Sequence, residues 1–205
     1  MAKILTFQEE NHVYEIDGEE LPSVTEVCRF ISRELYQEIS QVVLDRAANR
    51  GITVHKLTET LDKYNSCECE DDLLPYIEAY VQFRKKHPAE WTHIEKAMYH
   101  PELMYAGCLD RIGTVDGEPA IVDIKTTSQI HTVAVTAQLT LYKRMAEANG
   151  IPVSKLYVLQ LKKDGKFTLR LVEPDEELAD ACLTLHRRLE KKKRNYKQNL
   201  SKTEE

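Results

Sequence analysis

Two aspartates and a lysine are the residues of this sequence best suited to chemistry. They occur in Gly107-Cys108-Leu109-Asp110 and in Asp123-Ile124-Lys125, on either side of an Asp116-Gly117 pair. Asp-Gly between alternating apolar runs is a strong signal for a β-hairpin. A hairpin here would bring two carboxylates and an amine to one place.

The register of this hairpin decides how close the carboxylates come. If Val115 faces Glu118 across the turn, Asp110 lies directly opposite Asp123, with Lys125 on the same face. Like charges directly opposite each other destabilise a sheet. A shared proton would offset the repulsion, and a hard cation such as Mg²⁺ or Mn²⁺ would do so better because it prefers oxygen ligands.

Asp-x-Lys is a common tripeptide, and taken alone it fits a solvated sheet face better than a site. The residues around it favour a buried strand instead, because apolar side chains fall on both faces of the hairpin. These residues are Ile112, Ala120, Ile121, Val122 and Ile124. Burying a carboxylate there without a partner would be costly.

Four motifs together resemble the RecB-type branch of the PD-(D/E)xK nuclease superfamily, which includes phage-type and mitochondrial single-strand exonucleases. Three occur in the expected order: Gly107-x-x-Asp110, Asp123-x-Lys125 and Gln138-x-x-x-Tyr142. The fourth, Arg50-Gly51-Ile52-Thr53-Val54-His55, is similar to the branch's upstream glycine-to-histidine helix motif.

The resemblance implies an exonuclease that hydrolyses DNA phosphodiester bonds with one or two Mg²⁺ or Mn²⁺ ions. Asp110, Asp123, the Ile124 carbonyl and His55 would hold the metal, and an imidazole ligand favours Mn²⁺. Lys125 would orient or help to deprotonate the attacking water. Cleavage would leave a 5′-phosphate and a 3′-hydroxyl.

Further residues are assigned by the same resemblance. Gln138 would help to hold the catalytic lysine, Tyr142 would lie near the nucleic acid, and Arg50 would bind substrate. From the residues alone, Gln138 and Tyr142 could equally lie at the edge of the hydrophobic core. A single histidine such as His55 is more often a surface or packing residue.

Glu95 is a candidate third carboxylate. If residues 100–103 form a four-residue loop, Glu95 falls opposite Cys108 and diagonal to Asp110, near the ion. An ordinary exposed glutamate is an equal alternative.

The pattern of elements predicts an α+β fold, and the resemblance implies a restriction-endonuclease-like core: a central mixed β-sheet flanked by helices, with an N-terminal helical lobe. Residues 1–90 would form the hairpin and helical lobe, and residues 91–205 the sheet, its flanking helices and a basic C-terminal helix, within one compact domain. Strands are predicted at 4–7, 13–16, 92–99, 103–115, 118–126, 155–161 and 166–172. Helices are predicted from a capping box at Ser23, at 35–48, 52–64, 71–86 and 133–148, and from 175, with a break near Gly51.

Composition indicates a globular protein of a reducing compartment. Of 205 residues, 42% are hydrophobic, which suffices for one core, and the five cysteines are odd in number and scattered. Some members of the resembled branch carry an iron–sulfur cluster on one early and three late cysteines. Cys182 is the only late cysteine here, so no cluster is expected.

Without a signal peptide or long apolar segment, we expect a cytoplasmic protein of a bacterium or phage-infected host, with no membrane partner.

The net charge of -6 argues against a protein that coats nucleic acid by bulk charge. The charge is unevenly distributed. Residues 186–205 contain eight Lys/Arg and three Asp/Glu, a balance of +5, which leaves -11 for residues 1–185. The expected partner is DNA, as single strands or duplex ends. The resemblance to the RecB-type branch implies recombination or single-strand-binding proteins as further partners. Two alternatives remain: a nucleic-acid-binding or assembly module on a nuclease-like scaffold without turnover, and a structural or interaction protein.

Overall fold

The structure is a computed structural model that describes residues 4–8, 10–31 and 40–201. The helices are α1 Val24–Val27, α2 Gln41–Tyr64, α3 Leu74–Lys86, α4 Thr132–Ala148 and α5 Glu176–Ser201. The strands are β1 Leu5–Gln8, β2 Val13–Ile16, β3 Glu19–Leu21, β4 Ala89–Tyr99, β5 Ala106–Val115, β6 Glu118–Lys125, β7 Lys155–Leu161 and β8 Phe167–Leu171.

A small antiparallel sheet, β1-β2-β3, precedes the first helix. Its first two strands are the predicted hairpin, and the third strand was not predicted. The capping box that starts α1 is confirmed: the Ser23 hydroxyl accepts from the Glu26 amide, and the Glu26 carboxylate accepts from the Ser23 amide. This pair satisfies two amides that a helix start leaves unbonded.

The central sheet has the order β4-β5-β6-β7-β8. Only the β6–β7 pair is parallel, as its connection through α4 requires. Residues of α1, α4 and α5 pack against one face of this sheet, and residues of α2 and α3 against the other. The predicted α+β fold with a mixed sheet between helices is confirmed.

Helix α2 is continuous through Gly51, so the predicted break there is wrong. A glycine inside a helix costs about 1 kcal/mol relative to alanine. The packing of Val54 and Thr58, both fully buried, offsets that cost. Residues 35–39 of the predicted helix 35–48 lie outside the described residues.

The β5–β6 hairpin has the predicted register, with Val115 facing Glu118 and Arg111 facing Val122. Asp116 and Gly117 form the turn with φ of 52° and 85°, the positive values that a type I′ turn requires.

The predicted register of β4 on β5 is wrong by two residues. Tyr99 pairs with Ala106 rather than Met104, because the connection spans residues 100–105 and is closed by a bond from the His100 amide to the Tyr105 carbonyl. Glu95 therefore lies across from Asp110, between the Ile94–Arg111 and Lys96–Leu109 pairs.

Side-chain alternation along β5 changes phase near Asp110. Leu109 and Ile112 belong to the same core cluster, although residues three apart on a regular strand point to opposite faces. Glu95, across from this point, has a positive φ of 47°. The irregularity allows Asp110 and Glu95 to lie on the side of the sheet that α2 covers.

Among the residues that the structure describes, no helix combines the length and apolarity needed to cross a bilayer.

Candidate active site

His55, Glu95 and Asp110 form a cluster between α2 and the sheet. One potential ligand atom from each lies within 4.8 Å of those of the others. His55 Nδ1 is 3.2 Å from Glu95 Oε1 and 3.6 Å from Asp110 Oδ1. The other ring nitrogen, Nε2, lies 3.0 Å from the Ile124 carbonyl oxygen. One imidazole thus contacts β4, β5 and β6.

Asp110 also fixes the end of β6. Its Oδ2 accepts a 2.6 Å hydrogen bond from the Ile124 amide. Together with the contact of His55 to the Ile124 carbonyl, this holds both backbone groups of that residue in the site. The predicted gathering of His55, Asp110 and Ile124 agrees with this geometry.

Asp123 and Lys125 flank Ile124 on β6, and their side chains contact each other. Lys125 Nζ is 3.0 Å from Asp123 Oδ1 and 2.8 Å from Oδ2, but only the first contact has hydrogen-bond geometry. Buried Asp123 Oδ2 consequently has no hydrogen-bond donor among the residues that the structure describes. Lys125 therefore compensates the charge of this oxygen at 2.8 Å without satisfying it as an acceptor, which leaves its lone pairs available to a further ligand.

A chain of polar contacts continues from the lysine into α4. Lys125 Nζ donates to Gln138 Oε1 at 3.4 Å, and Gln138 Nε2 donates to the Tyr142 hydroxyl at 3.2 Å. The one-turn spacing of Gln138 and Tyr142 on the helix makes their mutual contact possible. Gln138 thus contacts both the Lys125 amine and the Tyr142 hydroxyl.

Charge and burial oppose each other here. Burial raises the pKa of both Asp110 and Asp123 above the ordinary range of aspartate, against the lowering effects of His55 and Lys125. Burial alone would lower the pKa of His55, but the Asp110 charge and the Glu95 hydrogen bond outweigh it and raise that pKa to about 9. The raised pKa values of the two aspartates favour their protonated forms, and that of His55 favours the imidazolium, so each shift reduces the net negative charge of the site.

The donor set fits a hard divalent cation. Carboxylate oxygens with one imidazole nitrogen suit Mg²⁺ or, with the nitrogen, Mn²⁺. The negative charge of the two carboxylates that approach His55 is what such a cation would compensate. Asp123 itself is not in the close group with His55, Glu95 and Asp110.

Arg111, which the sequence analysis did not single out, lies fully buried behind the cluster. Its guanidinium donates to Glu95 Oε1 at 3.0 Å, the Asp110 carbonyl at 2.7 Å, and Asp62 Oδ2 at 2.7 Å. It also donates to Thr58 Oγ1 at 3.0 Å. A polar residue within the apolar run of β5 was the only sequence signal for it.

The cluster lies in a groove of about 740 Å³ between the N-terminal sheet, α1 and α2. Tyr142 lines this groove together with His55, Glu95 and Asp110. Arg50 does not: its guanidinium lies over the ring of Tyr76, 5.7 Å from the centroid. The structure therefore places Arg50 in the packing of α2 on α3.

Comparison with known proteins gives a family for this arrangement. A family model described as the PD-(D/E)XK nuclease superfamily matches residues 25–203. No curated protein sequence gives a significant match.

Solved structures of similar shape include an alkaline exonuclease, LHK-Exo, from Laribacter hongkongensis. It is 12% identical with a TM-score of 0.45, over 68% of this chain and 79% of that one. Its complex with dAMP is 12% identical with a TM-score of 0.44, over 89% and 94%. A candidate exonuclease from Eubacterium rectale is 13% identical with a TM-score of 0.45, over 68% and 63%.

The family match spans most of the chain and includes every strand of the central sheet, the Asp110, Asp123 and Lys125 motifs, and the helix that carries His55. The chain belongs to the PD-(D/E)XK nuclease superfamily.

Proposed function

We propose that this nuclease is a divalent-metal-dependent exonuclease that hydrolyses DNA phosphodiester bonds. The observation that carries the proposal is the cluster of His55, Glu95 and Asp110, which is bonded to Ile124, together with the Asp123–Lys125 ion pair on either side of Ile124 in β6. Binding alone requires no such combination of acids and amine. The motifs shared with a branch of single-strand exonucleases favour action from a DNA end.

The proposed metal ligands are His55, Asp110, Asp123 and the Ile124 carbonyl, with Glu95 added because it lies across from Asp110. When bound, Mg²⁺ or Mn²⁺ would supply charge stabilisation and a more acidic water.

The side chains of Lys125, Gln138 and Tyr142 would orient the attacking water and the substrate. Lys125, with its amine between Asp123 and Gln138, would orient the attacking water and receive or relay its proton. Gln138 would keep that amine at the scissile phosphate, and Tyr142, which lines the groove, would contact the nucleotide beside it. Arg50 has no part in this proposal.

A single nuclease assay tests the proposal. The purified protein is incubated with end-labelled linear single-stranded DNA, linear duplex and circular single-stranded DNA, each with Mg²⁺, Mn²⁺ or EDTA. We expect products from the linear substrates with either metal and none with EDTA, while the circle survives. Cleavage of the circle would contradict action from an end, and binding of DNA without any cleavage would favour a binding module.

A further inference from the structure

The two carboxylate oxygens of Glu95 have different partners. Oε1 accepts from Arg111 at 3.0 Å and is 3.2 Å from His55 Nδ1. The other oxygen, Oε2, has a contact only with the Cys108 thiol at 3.9 Å among the hydrogen bonds that the structure describes for it. A thiol is a weak donor. The two oxygens of this carboxylate are thus unequal, and Oε2 is the one with fewer protein hydrogen bonds to lose on binding a cation.

Arg111 is rigidly held in the orientation that produces this difference. Asp62 Oδ2 accepts from Nε of the guanidinium, and Thr58 accepts from a terminal nitrogen. Asp62 is itself fixed by the Tyr80 hydroxyl at 2.6 Å and by an ion pair with Arg84. The side chains of Arg111 and Asp62 are 0% and 1% exposed. A planar guanidinium with several simultaneous acceptors cannot turn away from Glu95 without leaving buried partners unsatisfied.

The number of carboxylate oxygens that a ligand offers affects which cation it suits. Ca²⁺ takes six to eight oxygens and commonly binds a carboxylate through both, whereas Mg²⁺ requires near-octahedral geometry with single oxygens. A carboxylate oxygen that already accepts from an arginine has fewer lone pairs left for a metal, so such a glutamate favours the second mode.

We propose that Arg111 is a positioning residue that limits Glu95 to a single metal-binding oxygen, and thereby makes the site select a small octahedral cation over Ca²⁺. This inference rests on the proposed metal site and concerns its selectivity. Outer partners of metal ligands typically change metal affinity about 10- to 100-fold, so the effect is large enough to measure.

The test compares two arginine-to-lysine variants that share Asp62 as a partner. Arg111→Lys keeps the positive charge but cannot reach Asp62 and Glu95 together. Arg84→Lys is the matched control, since Arg84 pairs with Asp62 and has no recorded contact with Glu95. Mn²⁺ binding is followed by the loss of the free-ion EPR signal, with Ca²⁺ as competitor, and folding is checked by circular dichroism.

We expect Arg111→Lys to raise the ratio of Ca²⁺ to Mn²⁺ affinity about tenfold, the lower end of the usual range for an outer partner. Arg84→Lys should leave the ratio as in the wild type. In the infrared spectrum of the Ca²⁺ form, the spacing between the carboxylate stretching bands should narrow in Arg111→Lys, as it does when both oxygens bind. A purely structural role would move stability without moving the ratio or the bands.

The inference is overturned if folded Arg111→Lys keeps the wild-type ratio. If Arg111→Lys does not fold, Asp62→Asn takes its place, because it weakens the anchor of the Arg111 guanidinium. This variant should also raise the ratio of Ca²⁺ to Mn²⁺ affinity, and an unchanged ratio would overturn the inference. The proposed function fails separately, if wild-type Mn²⁺ binding is absent or is unaffected by Asp110→Asn.

Discussion

Gly107 lies against the ring of Tyr142. A Cβ atom at position 107 would be 2.7 Å from Tyr142 Cε1 and 3.3 Å from Val24 Cγ2. The glycine of the Gly107-x-x-Asp110 motif thus leaves room for the ring of Tyr142, whose hydroxyl accepts from Gln138. Its requirement is steric and arises from the neighbouring helix, since the backbone at Gly107 does not have a positive φ.

Gly107→Ala should consequently destabilise the protein by about 1–3 kcal/mol, the usual cost of overpacking a core. Gly51→Ala is the matched control. The nearest atom to a Cβ there is Thr126 Oγ1 at 3.8 Å, an ordinary contact, so this change inside α2 should stabilise by about 1 kcal/mol. Urea unfolding measures both, and the same sign for the two variants would refute the steric explanation.

Asp123→Asn removes the charge of a buried carboxylate and keeps its shape. We expect the cleavage rate to fall on the order of 100- to 1,000-fold, as for loss of one electrostatic group of an active site, while the fold remains. Lys125→Ala should behave similarly. Single-turnover cleavage of labelled DNA, with circular dichroism as the fold control, measures this. Wild-type turnover by Asp123→Asn would remove it from the mechanism.

His55→Gln should weaken Mn²⁺ binding by at least about tenfold, since even outer partners of ligands contribute that much. Its effect on DNA affinity should be smaller, because the imidazole contacts Glu95, Asp110 and Ile124 rather than the outer part of the groove. Metal titration and fluorescence anisotropy of labelled DNA give the two affinities. Superimposable metal titrations would exclude His55 as a ligand.

His100, in the connection between β4 and β5, provides a pH dependence of stability. Burial lowers the pKa of His100, and its Nδ1 accepts from the amides of Glu102 and Leu103 at 3.3 and 3.2 Å. The folded state therefore favours the neutral ring. This stability is present above the unfolded pKa of about 6.5 and is lost as the pH falls below it.

His100→Asn retains an acceptor for these amides but does not titrate. Between about pH 7 and pH 5, the wild type should thus lose more unfolding free energy than His100→Asn. Urea unfolding across that range measures the difference. Parallel pH profiles for the two proteins would contradict the role of His100.

Local chemistry made part of this molecule predictable from its sequence. Asp116-Gly117 can adopt the positive φ values of a tight turn, and once the turn is fixed, counting outward fixes the β5–β6 register. The Ser23 capping box and the strands that became β7 and β8 follow from similarly short-range signals. Lys125 next to Gln138 agrees with the predicted contact of the motifs.

Other features depend on contacts distant in sequence. The β4–β5 register is set by a six-residue connection whose closing bond, His100 to Tyr105, has no strong turn signature. Arg111 lies in a strand whose neighbouring residues are mostly apolar. Its buried partner, Asp62, lies on α2, 49 residues earlier in the sequence. The helix through Gly51 is stabilised by packing that outweighs the local preference.

His55, Thr58 and Asp62 follow one another at intervals of three and four residues on α2, so they share one stripe of the helix. The first contacts the acids, and the other two anchor Arg111. One residue inserted between His55 and Thr58 would rotate the rest of the helix by about 100° and separate these groups. The length of this segment is therefore as much a part of the site as its side chains, and an insertion there should be more harmful than a substitution.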